Sequence, residues 1–211
     1  MPRVIAIGDV HGCSKELLAL LEKLQLTDED ELIFVGDLIN RGPDSEGVLR
    51  IVRGLKNTQC LLGNHERRFL RYRETGKEEK LKPGDFDTLA LLTDEDWVLL
   101  ESMKPYIYRE DLNTIFVHGG FLPGIPWREN TVKTMVRIQV VDKKGRGRKR
   151  SQCPDGTPWA DLWEGPEFVV YGHTPRMEVY ESPHAICIDT ACAYGGPLTA
   201  YVLPERKIVQ V

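Results

Sequence analysis

Three successive strand-and-helix units, with carboxylates and histidines at the ends of the strands, predict an α/β fold built on a largely parallel central sheet. Arg3 to Gly8 reads as a short buried strand, followed by a tight glycine turn and a helix carrying Leu17, Leu18, Leu21 and Leu24 on one face. Glu31 to Gly36 is the second strand. Asp44, behind Pro43, is a plausible N-cap for a helix whose apolar face is Val48, Ile51, Val52 and Leu55. Thr58 to Leu62 and His65 to Arg73 form the third unit.

The chain then changes character. Glu74 to Lys82 is dominated by charge and ends in Pro83-Gly84, the pattern of a solvated loop. Asp94 to Met103 reads as a capped helix, and Thr114 to Val117 as a strand running into His118-Gly119-Gly120. Lys143 to Arg150 (KKGRGRKR) is basic and glycine-containing, which predicts a mobile surface loop. From Glu167 the strands crowd together: Phe168 to Tyr171, Glu178 to Glu181, Ala185 to Ile188, Leu198 to Leu203 and Lys207 to Val211. They predict a second sheet packed on the first.

The 211 residues suit one domain spanning 1 to 211, with 41% hydrophobic and 28% charged residues, an ordinary globular composition. A formal net charge of -4 argues against a globally basic nucleic-acid binder. No apolar run approaches the ~20 residues needed to cross a bilayer, and the first strand begins with no secretory leader before it. Five cysteines, an odd number without a CxxC pair, argue against a disulfide framework. Reduced thiols and a cytoplasmic location are expected.

The chemistry lies in where the polar residues fall. Asp9 and His11 follow the first strand, Asp37 the second, and Asn64 and His65 the third; His118 and His173 end two later strands. In open α/β sheets the carboxyl ends of strands line the ligand crevice, so side chains distant in sequence converge there. Imidazole and carboxylate without thiolate suit divalent ions such as manganese, iron or zinc. Each fragment taken singly also reads as a glycine turn, an N-cap or a hydrogen-bonded structural histidine. Their joint occurrence in order at strand termini is what those readings do not explain.

The segments GDVHG (8–12), GDLINRG (36–42), GNHE (63–66), HGG (118–120) and GHT (172–174) together resemble the signature set of the phosphoprotein-phosphatase family of metallophosphoesterases. The resemblance implies a calcineurin-like two-sheet sandwich flanked by helices. It implies two divalent metal ions, manganese foremost, with iron, zinc, cobalt or nickel as alternatives. Asp9, His11 and Asp37 would hold one ion, and Asp37, Asn64, His118 and His173 the other, with Asp37 bridging. Two such ions clamp the oxygens of an in-line displacement and lower the pKa of a bridging water, whose hydroxide attacks phosphorus. Arg41 would grip phosphoryl oxygens with its planar fork, and His65 would protonate the leaving oxygen. The family's second arginine would be Arg128 or, preferably, Arg137.

At one position the chain departs from the protein-phosphatase branch, which has an Asp where this sequence has Asn40. An amide supplies no negative charge to His65, so its imidazolium should form less readily, favouring leaving groups that are already stable anions. Cys13 after GDVHG, Gly42-Pro43-Asp44-Ser45, and Ile188 to Tyr201 (IDTACAYGGPLTAY) are similar to the ApaH-like diadenosine tetraphosphate hydrolases, although Ala191 and Ala193 depart from that pattern. A phosphoanhydride substrate such as a dinucleoside tetraphosphate is expected, with a phosphoprotein as the alternative. A silent binding module and a nuclease or cyclic-nucleotide phosphodiesterase fit less well, given the filled ligand positions and Arg41. Trp159 and Trp163 would either stack a nucleobase or pack the core. The basic stretch 143–150 would either contact polyphosphate or RNA by charge attraction or be bland and solvated.

Overall fold

The computed structural model describes residues 2–211. Its first half alternates β1 (Val4–Ile7), α1 (Ser14–Leu24), β2 (Glu31–Phe34), α2 (Ser45–Gly54), β3 (Thr58–Cys60) and α3 (Asn64–Thr75). Two further helices follow, α4 (Pro83–Leu91) and α5 (Asp94–Ser102), then β4 (Tyr106–Arg109), β5 (Thr114–Val117) and the short α6 (Val132–Met135). The remainder is β6 (Val140–Val141), β7 (Gly147–Arg148), β8 (Thr157–Pro158), β9 (Phe168–Tyr171), β10 (Tyr180–Ser182), β11 (Ala185–Cys187), β12 (Thr199–Leu203) and β13 (Lys207–Gln210).

Two five-stranded sheets, ordered β13-β12-β1-β2-β3 and β10-β11-β9-β5-β4, make the α/β sandwich flanked by helices that the motifs imply. Alternation along each strand divides the core. In β1, Ile5 and Ile7 pack with Leu17, Leu20 and Val48 of the flanking helices, whereas Val4 and Ala6 join Phe116, Val170 and Ile186 between the sheets. Strands β1, β2 and β3 run parallel, as do β5, β9 and β11.

Several expectations need correction. The late strands do not all build the second sheet: β12 returns to pair antiparallel with β1, and β13 with β12. The buried face of α1 is Leu17, Leu20 and Leu24, while Leu18 is 56% exposed. Pro83-Gly84 opens a helix instead of closing a loop, because Pro at the first helical position loses no needed N–H and Asp85 three residues in caps the Lys82 N–H at 2.7 Å. Residues 143–150 are an ordered excursion, where β7 pairs with β6 and Asp142 accepts from the Lys144 and Arg146 amides. Of the two uses open to Trp159 and Trp163, core packing is the one observed: both pack with Phe121 and Tyr171 in the second core. All five cysteines are free, and no helix among the described residues is long and apolar enough to cross a membrane.

Arg3 ties the start of β1 to its surroundings, with Nη2 2.5 Å from the buried Asp30 and Nη1 donating to the Leu24 carbonyl. The Arg3 hydrogen bond outweighs burial and holds Asp30 down to about 2. A carboxyl with a depressed folded pKa contributes stability above its unfolded value, ~3.9, and loses it as pH falls toward 2. Arg3→Ala should therefore cost about 1 to 2 kcal/mol at pH 7, with its melting temperature converging on that of the unmodified chain near pH 2.

Candidate active site

Six parallel strands, three from each sheet, deliver their carboxyl ends to one place. Asp9 lies beyond β1, Asp37 beyond β2, Asn64 beyond β3, His118 beyond β5, His173 beyond β9 and Asp189 beyond β11. Hydrogen bonds across the sandwich lock the two edges together: the His173 amide donates to Asp9 at 3.2 Å, and His118 Nδ1 donates to the Val35 carbonyl at 2.9 Å.

Asp37 is the centre of the arrangement. Its Oδ2 lies 3.4 Å from His11 Nε2 and 3.4 Å from His118 Nε2, and its Oδ1 accepts from the His65 amide at 3.0 Å. One group of potential ligand atoms joins Asp37 to His118 and His173; another joins it to His11 and His65. Asp9 stands 4.0 Å from His11 Nε2. Each of the three expected ligand imidazoles donates its remaining ring N–H to a backbone carbonyl: His11 Nδ1 to Ile39, His118 Nδ1 to Val35, and His173 Nε2 to Arg137 at 3.2 Å. Such outer bonds fix the tautomer and aim the free nitrogen inward.

The donor set fits divalent cations on two independent grounds. Asn64 Oδ1 is buried with no hydrogen-bond partner among the described residues, and buried His118 Nε2 faces only the Asp37 carboxylate at 3.4 Å, an arrangement that is costly unless a ligand takes these atoms up. Asp9, Asp37, Glu66 and Asp189 are also buried together. Burial raises the Asp9 carboxyl well above its usual range, and the charges of Asp189 and Asp37 push it further. Burial would lower His118, yet Asp37 and Asp9 reverse that and hold it at about 10. So much negative charge out of water calls for compensating cations.

The backbone is strained where the site needs it. His11, Asp37, Asn40, Arg41 and His173 all have positive φ, between 48° and 71°. Glu66, fully buried, holds the 37–39 turn by accepting from the Asp37 and Leu38 amides at 3.1 and 2.8 Å. At Gly172 a Cβ would overlap Asp9 Oδ1. Gly172→Ala should displace Asp9 and lower kcat/KM by about a hundredfold or more, with a matching loss of bound metal on gel-filtered protein.

The Asn40 environment holds a charge that the sequence reading did not find. Asn40 Nδ2 donates to His65 Nδ1 at 2.9 Å and to Asp85 Oδ1 at 3.1 Å; Arg68 Nη2 reaches the same Asp85 oxygen at 2.6 Å and His65 Nδ1 at 3.2 Å. Only an amide N–H can satisfy Asp85, which fixes the orientation of Asn40 and makes His65 Nδ1 an acceptor. The His65 proton therefore sits on Nε2, buried and without a partner among the described residues. Burial, aided by His11, Arg41 and Arg68 against Asp37, takes His65 down to about 2, the direction expected beside an amide.

Of the arginines, Arg41 Nη1 lies 2.9 Å from His11 Nε2, with its guanidinium over the Tyr194 ring. Arg128 stacks instead on Trp127, 3.9 Å from the ring centroid, while Arg137 is exposed beside His173. Asp85, Arg68, Glu66 and Asp189 escaped sequence reasoning. Asp85 had a legible signal, Pro followed two residues later by Asp, which is also a helix start.

Residues 2–198 match the family model described as calcineurin-like phosphoesterase. The chain belongs to that family. The resemblance read from its motifs is borne out, and the phosphoesterase has relatives similar to it along its whole length. The asymmetrical bis(5'-nucleosyl)-tetraphosphatase PrpE of Oceanobacillus iheyensis is 31% identical over 99% of this chain and 92% of its own. The symmetrical bis(5'-nucleosyl)-tetraphosphatase of Nitrosospira multiformis is 28% identical over 98% of this chain and 94% of its own. A crystal structure described as a "putative diadenosine tetraphosphatase" superposes with a TM-score of 0.87 at 31% identity, covering 100% of the phosphoesterase and 95% of that chain. A cold-active protein-tyrosine phosphatase from Shewanella shares the fold, with a TM-score of 0.64 at 22% identity over 100% of the phosphoesterase and 77% of that chain.

Proposed function

We propose that the phosphoesterase hydrolyses the phosphoanhydride chain of dinucleoside polyphosphates, tetraphosphates foremost, at a centre of two divalent ions, manganese first among them. Asp9, His11 and Asp37 would hold one ion; Asp37, Asn64, His118 and His173 would hold the other. When bound, such a pair polarises phosphoryl oxygens and makes hydroxide available near neutral pH. Arg41 orients the phosphoryl group under attack through its fork of donors, and Arg137 is the candidate for a second grip.

The observation that carries this reading is the hydrogen bonding of His65. Two N–H donors face its Nδ1, so it enters the site as a neutral imidazole presenting Nε2–H. That group can donate a hydrogen bond to a departing oxygen but is poorly placed to be an imidazolium acid. A nucleotide leaving from an anhydride departs as a stable anion and needs little more. The names of the relatives, similar over nearly the full chain, support the same substrate class.

A phosphoprotein substrate is the second reading, favoured by Asp85, whose carboxylate stands one side chain removed from His65. Manganese-supplemented enzyme offered diadenosine tetraphosphate and a phosphoserine peptide separates the two. The proposal expects nucleotide release with kcat/KM at least about tenfold above dephosphorylation of the peptide, a margin of ~1.4 kcal/mol in transition-state stabilisation. Phosphate release from the peptide alone would overturn it. Chromatography of the nucleotides assigns the bond cleaved: AMP plus ATP for asymmetric cleavage, two ADP for symmetric.

A further inference from the structure

Beside the metal site lies a cavity of about 610 Å³, walled by α6 on one side and the β7 strand of the basic excursion on the other. Lys133, Arg137, Arg148 and Lys149 line it, and no carboxylate does. The chain as a whole has more Asp and Glu, 32, than Lys and Arg, 28, so a wall of one sign is a local concentration. Arg148 is partly neutralised by Asp142 at 3.1 Å. Lys133, Arg137 and Lys149 form no ion pair among the described residues, which leaves their charges available to a ligand.

The cavity is joined to the reaction centre by covalent and hydrogen-bonded structure. The Arg137 carbonyl holds His173 Nε2, and Gln139 bridges the His173 carbonyl to the Arg150 amide. Lys149 is half-buried and lies within the field of Arg137, Lys82, Arg68 and Arg41. Cations along a shared wall attract an extended polyanion more strongly than a compact one, because each added phosphate finds its own partner.

We infer that this cavity is a distal phosphate subsite, in which Lys133 and Lys149 hold phosphates of an extended chain beyond the one under attack. It gives the ordered excursion 143–150 a function that charge attraction alone left unassigned. It rests on the proposed reading of the chain as a polyphosphate hydrolase, and supplies what that reading lacks, a means of preferring four phosphates to one. The subsite requires no residue of the metal centre to change.

The test is equilibrium binding of a methylene-bridged, non-hydrolysable diadenosine tetraphosphate and of AMP to the metal-loaded full chain, in excess magnesium so that chelation by the ligands is saturated. The unmodified protein should bind the tetraphosphate at least tenfold more tightly than AMP. Lys133→Ala/Lys149→Ala should reduce that ratio at least tenfold, and the preference of the unmodified protein should weaken steeply with added salt. Lys133→Gln/Lys149→Gln, which keeps most of each stem, serves if the alanine variant melts early. Retention of the tetraphosphate preference by a folded variant would overturn the subsite. Turnover of diadenosine tetraphosphate by the unmodified enzyme is scored separately: its absence, with the binding ratio still dependent on the two lysines, sinks the proposed substrate and leaves the subsite standing.

Discussion

Asp37→Asn should lower kcat at least about a thousandfold on every phosphate substrate, a loss of ~4 kcal/mol of transition-state stabilisation. Asp37 Oδ2 is placed 3.4 Å from both His11 Nε2 and His118 Nε2, so it reaches both halves of the candidate centre. An amide there keeps the shape but withdraws the charge, and either its nitrogen repels the cation or its single oxygen must serve both ions. The turn itself should survive, because Glu66 holds the 37–39 amides independently of the Asp37 side chain. Steady-state rates at saturating manganese, with a melting curve to show the variant folded, check this; a kcat within tenfold of the unmodified enzyme would remove Asp37 from the bridging role.

Asp85→Ala should reduce kcat about tenfold to a hundredfold by loosening the His65 ring from its orientation, although Asp85 does not touch the expected metal ligands. Its carboxylate fixes Asn40 through Nδ2 and collects Arg68, and both of those groups aim the His65 ring. Removing it frees Asn40 to flip and leaves Arg68 as an unpaired, largely buried cation. The same geometry alters what Asn40→Asp does. With Asp85 already 3.1 Å from the amide nitrogen, a second carboxylate would face the first and destabilise the fold. The double change Asn40→Asp/Asp85→Asn moves the charge by one side chain instead of adding one, and should shift the ratio of phosphoserine to anhydride turnover toward phosphoserine about tenfold or more, ~1.4 kcal/mol or more. Asp85→Ala with unaltered kcat, or a double variant with unaltered selectivity, would show that His65 is oriented by other means.

The parts of this structure that sequence made legible are those with a short physical period or a fixed neighbour. Strand β1 alternates between two cores and ends in a glycine turn, and Asp44 caps α2 by accepting from the Gly47 amide at 2.8 Å. The expected ligands were readable because each stands one to four residues past a strand. What was hidden depends on contacts between distant segments. Asp85 lies just past the charged stretch 74–82 and reads in sequence only as part of a helix start; its role at the site exists because α4 packs its first turn against Asn40 and Arg68. Asp189 follows β11 inside the segment 188–201, but only the packing of the two sheets makes it the neighbour of Asp9. The tryptophans offered two uses, and only the packing of Trp159 and Trp163 against Phe121 decides between them.

Metal stoichiometry tests whether the ends of β1, β2, β3, β5 and β9 build a centre for two ions joined through Asp37. Elemental analysis of the unmodified chain, loaded with manganese and freed of excess by gel filtration, should find two ions per chain, and Asp37→Asn should find fewer. One ion or none per unmodified chain, with full activity on diadenosine tetraphosphate, would contradict the account.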